Sequence, residues 1–161
     1  MTDHSPIHPA IQTSVTEASF ALHPRLEQDS LPVAIHEKCE VRLINDQRFL
    51  WALVVPRCPG VQELHELEPE MRQNAWNLVQ VLSAGIALLP EIDKINVGML
   101  GNLVPQLHIH VVGRRQDDPA WPGPVWGSGE AVAYGISDAE ERVLFLKGLL
   151  TDLCAETSTS S

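Results

Sequence analysis

Gln106-Leu107-His108-Ile109-His110-Val111-Val112 is the stretch whose reading decides the fold. Polar and apolar residues alternate strictly, which predicts a β-strand with one buried and one accessible face. On such a strand Gln106, His108 and His110 share a face, and Leu107, Ile109 and Val111 point to the other. Two imidazoles and an amide then stand in a row, with neighbours ~7 Å apart along the strand. Upstream, Asn96 to Pro105 carries two glycines and two asparagines; downstream come Arg114, Arg115 and a segment rich in Trp, Pro and Gly. Two readings compete: a half-exposed strand that happens to carry histidines, and a phosphate-handling site.

The rest of the composition bounds the choice. A chain of 161 residues fits one domain large enough to bury a core without disulfides or metals. A net charge of −10 argues against a general nucleic-acid binder. It still allows a small phosphorylated ligand, because a local cluster such as Arg114 and Arg115 can oppose the global field. Cys39, Cys58 and Cys154 form no C-x-x-C and cannot all pair, which points to a reduced, cytoplasmic compartment. The N-terminus shows no signal-peptide pattern, and no apolar run approaches a membrane span.

Residues 1–16 and 155–161, rich in Ser and Thr, are expected to be flexible tails around a single domain at 17–154. Histidines 4 and 8 fall in the first tail and are read as solvated. The segment from Ser19 to Ser30 predicts a short helical turn, and an extended approach begins at Pro32. Strands are predicted at Cys39 to Ile44 and Phe49 to Val55, joined through Asn45-Asp46 as an antiparallel hairpin. Pro69 opens a helix whose apolar face is Met71, Ala75, Leu78, Val79, Leu82, Ile86 and Leu89, with Trp76 at its edge in a core or dimer role. Lys94 to Leu100 and Gln106 to Gly113 are the next strands. Residues 114–136 form a long tryptophan-bearing connection, and Ser137 with Glu140 matches a capping box ahead of a last amphipathic helix. The order predicts an α+β fold, an antiparallel sheet with a long helix packed on one face and an additional C-terminal helix.

The His-x-His admits three chemistries. Two strand histidines at i and i+2 can share a metal, but no carboxylate stands between Val111 and Gln116 to complete a site, so no metal and no cofactor is expected. An imidazole can instead attack phosphorus, given donors for the equatorial oxygens and a proton source for the leaving group. His110, the amides of Asn96, Asn102 and Gln106, and glycine N–H groups offer those donors. Each amide taken alone is as well explained by turn or strand structure. The same groups would also serve a protein that only binds.

Gln106 to Val112, preceded by Asn96-x-Gly98 and followed by Gly113-Arg114, resembles the signature of the histidine triad (HIT) family, His-φ-His-φ-His-φ-φ with φ apolar. The Trp121-Pro122-Gly123-Pro124 run and the order of elements extend the resemblance over roughly residues 20 to 127. It is closest in kind to bacterial HIT proteins described as diadenosine polyphosphate hydrolases, where glutamine can replace the first histidine. The resemblance implies a homodimer binding an AMP-like nucleotide, with attack at the α-phosphorus and a nucleotidyl-histidine intermediate. It makes His108 the nucleophile and His110 a phosphate contact, with Asn96 and Asn102 as further phosphate-binding residues. Gln106 stands at the first triad position, Leu103 where a hydroxyl is common, and Trp51 where the hairpin strand often carries a histidine. Glutamine cannot serve as an acid near neutral pH, so binding should survive these changes better than turnover. The implied function is therefore a nucleotide hydrolase or transferase, the alternative a catalytically weak nucleotide-binding or sensing protein.

Overall fold

His23 ends the entering chain by capping α1 (Pro24–Asp29): its ring Nδ1 accepts the Arg25 N–H at 3.2 Å, and Pro24 occupies the first turn. The structure, a computed structural model, describes residues 19–157. The expected tail at residues 1–16, with histidines 4 and 8, lies outside the described residues, as do residues 158–161.

Directly after α1 comes a strand, β1 (Ser30–His36), paired antiparallel with β2 (Cys39–Ile44). The sequence predicts only an extended approach here. Pro32 lowers strand expectation, but β1 lies at the sheet edge, where a missing N–H costs little, and the register slips between Pro32 and Ala34. Its two-residue turn, Glu37-Lys38, has φ of 45° and 63°, without the Asn or Gly that normally announces such a turn.

β2 continues into β3 (Leu50–Pro56), buried at every position, and a short 3₁₀ turn at Leu64–Glu66 leads to α2 (Pro69–Ala87). β4 (Lys94–Gly98) and β5 (Ile109–Arg114) complete a five-stranded antiparallel sheet of order β1-β2-β3-β5-β4. The α+β expectation is met. α2 buries Ala75, Leu78, Val79, Leu82 and Ile86 against Val41, Leu43, Ala52, Val54, Ile109 and Val111. Trp76 packs at the edge of this core. The C-terminal helix α3 (Ile136–Thr157) adds Leu146 and Leu150 to the same face. It begins at Ile136, with Gly135 accepting from the Ala139 N–H at 2.9 Å, so Ser137 lies inside the first turn rather than capping it. It also runs through residues 155–157, where the sequence predicts a tail.

The opposite sheet face carries Trp51, Leu53, Val55 and Val112 and is covered by α1, the loop between β4 and β5, and the segment after β5. This second, thinner core surrounds the histidines.

Candidate active site

β5 begins later than the alternating pattern predicts. Its ladder starts at Ile109, so Gln106, Leu107 and His108 precede it. Leu107 still faces inward, and its N–H donates to Val61 O at 3.0 Å. His108 and His110 are both buried, and their rings meet edge to face with centroids 4.8 Å apart, closer than the strand repeat. Both line a cavity of about 780 Å³, shared with Leu26 of α1, Ile44, Asn102 and Val125. That volume suits a small organic ligand, and the lining mixes apolar side chains with the two histidines, Asn102 and the charged Arg25, Asp29, Asp46 and Arg48.

Hydrogen bonds set the chemistry of the first ring. His108 Nδ1 lies 2.6 Å from the Gln106 carbonyl. A carbonyl only accepts, so Nδ1 carries the proton and Nε2 is left with a lone pair. Burial lowers the His108 pKa; the Gln106 carbonyl opposes that, and His23 nearby adds to it. The ring is thus a neutral base with a free electron pair. His110 is driven further, to about 3, by burial and by the neighbouring His108. Its Nδ1 accepts the indole N–H of Trp51 at 2.9 Å.

A buried ion network forms where β5 ends. Arg114 pairs with Asp118 at 2.7 Å and donates to Asn96 Oδ1 at 2.8 Å and Gly123 O at 2.9 Å. Burial alone would raise the Asp118 carboxyl, but Arg114 and the Ala120 and Arg115 N–H groups hold it below its ordinary range. The network pins the start of the segment after β5, which returns Trp126 to the site. Trp126 stacks edge-on against both His110 and Trp51. The approach needs a glycine beneath it: a Cβ on Gly98 would lie 2.9 Å from Trp126 Cη2. On the far side of the cavity, Asp46 and Arg48 form a closed pair at 2.6 Å, and Arg48 reaches across to Ser128 O. Burial would raise Asp46, but Arg48 and the Val132 N–H keep it ionised.

The expected site residues therefore separate into two groups. His108, His110 and Asn102 face one cavity. Gln106 does not: its Nε2 donates to Ala21 O and its Oε1 accepts from His23 N, both at 2.9 Å, which occupies the amide in fastening the N-terminal segment. Asn96 turns to Arg114 instead of the cavity. The suggestion that Arg114 and Arg115 attract an anion is likewise not met, since Arg114 is buried against Asp118 and Arg115 pairs with Asp117. Trp51, in contact with His110, is a site residue that strand patterning registers only as one more apolar position. Among the described residues no group of three or more His, Cys, Asp or Glu side chains is arranged to hold a metal ion, and no helix is long and apolar enough to cross a membrane.

Comparison with known proteins gives the site a context. A family profile described as the HIT domain matches residues 25–117. Among solved structures, a histidine triad protein from Marinobacter aquaeolei is 41% identical, with a TM-score of 0.81, over 84% of this chain and 99% of that one. A histidine triad (HIT) protein from Sinorhizobium meliloti is 37% identical, with a TM-score of 0.78, over 81% and 97%. One from Bradyrhizobium japonicum is 32% identical, with a TM-score of 0.79, over 83% and 99%. A search of curated proteins returned no significant match.

Proposed function

Given that the chain belongs to the HIT domain family, we propose that it is a nucleotide hydrolase or transferase acting at the α-phosphorus of a nucleoside phosphate ester, anhydride or phosphoramidate. Diadenosine polyphosphates are the substrates that the bacterial resemblance favours. The observation that carries this reading is the His108 ring, whose Nδ1 is tied to the Gln106 carbonyl and whose Nε2 is thereby free to attack.

In the first step the Nε2 lone pair forms a P–N bond and the bond from phosphorus to the leaving group breaks, its electron pair departing with the leaving group, which takes any proton it needs from solvent. The imidazolium so created keeps its Nδ1–H on the Gln106 carbonyl, which stabilises the charge. His110, with Asn102 at the cavity wall, meets the non-bridging oxygens. Water then attacks phosphorus and loses a proton to solvent, the P–N electron pair returns to Nε2, and His108 regains its neutral form as the nucleoside monophosphate leaves. Gln106 contributes its carbonyl and its hold on residues 21–23; its amide supplies no proton. The protein is proposed to work in the cytoplasm as a homodimer of single-domain chains.

Turnover of adenosine phosphoramidate and diadenosine polyphosphates tests the proposal. His108→Ala is expected to abolish turnover, a loss of at least 10³-fold on the scale of removing a covalent nucleophile, while AMP binding measured by calorimetry persists. Retained turnover in the variant would show that another group attacks. Two observations favour a second reading, a nucleotide-binding or sensing protein: no acid stands at position 106, and the rim residue Leu103 is apolar and 80% exposed. AMP affinity with no turnover of any of these substrates selects it.

A further inference from the structure

The Trp51–His110 contact decides more than packing. An indole N–H donates and never accepts, so at 2.9 Å the His110 Nδ1 receiving it must carry a lone pair. In the neutral ring the proton is then on Nε2. We propose that Trp51 is a positioning residue that fixes His110 as the neutral Nε2–H tautomer, so that the ring presents a single uncharged donor to a phosphoryl oxygen.

Three features make the indole a fixed donor. Trp51 is buried on β3, edge to face with Phe49 on one side, centroids 6.1 Å apart, and with Trp126 on the other at 5.9 Å. The His110 ring lies 5.5 Å from the indole and is itself walled by Trp126. The backbone register sets Leu53 of β3 and Gly98 of β4 opposite His110, neither of which titrates. The titratable groups around it are His108 alongside and His23 beyond it. The charged groups of the cavity are closed pairs, Arg25 with Asp29 on α1 and Arg48 with Asp46 at the β2–β3 turn. Among the described residues no carboxylate hydrogen-bonds to His110, so nothing there favours an imidazolium.

The consequence is a division of labour between two adjacent imidazoles of opposite tautomer. His108 holds its proton on Nδ1 and offers a lone pair; His110 receives at Nδ1 and offers a proton. Phosphate binding through His110 then does not tighten on acidification, as it would with a titrating imidazole. The pairing rests on the reading under Proposed function only for the phosphoryl oxygen; the tautomer itself does not depend on turnover.

Long-range ¹H–¹⁵N spectra of histidine-labelled protein, from about pH 8 to about pH 5, read this directly across the range where an ordinary imidazole titrates. The expected result is His110 with Nδ1 unprotonated and Nε2 protonated throughout. A proton on Nδ1, or protonation of both nitrogens within that range, overturns the proposal. Trp51→Phe keeps an aromatic ring and removes the donor. It should yield a mixed tautomer, with part of the proton on Nδ1, and raise the His110 pKa. An unchanged tautomer and pKa in that variant would assign the effect to burial and remove Trp51 from it. Should Trp51→Phe not fold, the wild-type spectra still decide the tautomer. If the tautomer holds and no nucleotide is turned over, His108 is not a working nucleophile and the Trp51–His110 assignment stands.

Discussion

Neighbouring histidines on one strand are not interchangeable here, because each ring's Nδ1 partner differs. His108 gives its Nδ1 proton to a carbonyl and His110 takes one from an indole. The spacing that suggested a row of equivalent polar groups carries no information about that asymmetry. It resides in the backbone at 106 and in a strand 59 residues earlier. Gln106 was misleading for a related reason: the alternation put it on the active face, but the ladder starts only at Ile109, and its amide is consumed by Ala21 and His23. The histidine pair was legible in the sequence; its surroundings were not.

The buried His110 also makes stability depend on pH. Its folded pKa lies near 3, below the unfolded value of about 6.5, so the unfolded chain binds the extra proton between those limits. Stability contributed by the neutral ring is full above about 6.5 and is lost progressively as pH falls toward 3. The expected loss from His110 alone is roughly 2 kcal/mol between pH 7 and pH 5. Urea titrations at both values check it, with His110→Gln as the control that should show a correspondingly smaller drop. An equal drop in the control would move the pH sensitivity to other groups.

At the scale of elements, periodicity located α2 and the β2–β3 hairpin because both bury a regular face against one core. β1 escaped because it is an edge strand carrying a proline and turning through Glu37 and Lys38. The segment after β5 has no periodicity to read; what holds it is the Arg114–Asp118 pair, visible only once the chain is folded. Its function is to bring Trp126 against β4, and Gly98 makes room for it. Gly98→Ala should therefore cost about 1–3 kcal/mol, the range for overpacking a close contact, and should displace Trp126 from His110. Chemical denaturation gives the first quantity, and the His110 ring resonances report the second. A variant as stable as the wild type, with those resonances unmoved, would mean that the indole yields without consequence.

For the molecule as a whole, one sheet separates two unlike cores. The helical face supplies stability through α2 and α3, and the loop-covered face supplies the cavity. The arrangement lets the site be built from segments with little secondary structure, on strands held rigid from behind. The net charge of −10 surrounds that cavity, whose arginines are already neutralised by Asp29 and Asp46. An anionic nucleotide should consequently associate faster as salt rises from about 10 mM to about 150 mM, because screening weakens a repulsive field. Stopped-flow binding of a fluorescent AMP analogue measures this; a rate that falls with salt would reveal a positive local field instead.

The central claim is that His108 attacks phosphorus, and rapid-quench peptide mapping tests it most directly. Protein mixed with adenosine phosphoramidate or a diadenosine polyphosphate, stopped within one turnover and digested, should carry an adenylyl group on the peptide at His108 Nε2. His108→Ala should carry none. Turnover with the adduct on His110, on His23 or nowhere in the chain would contradict the account.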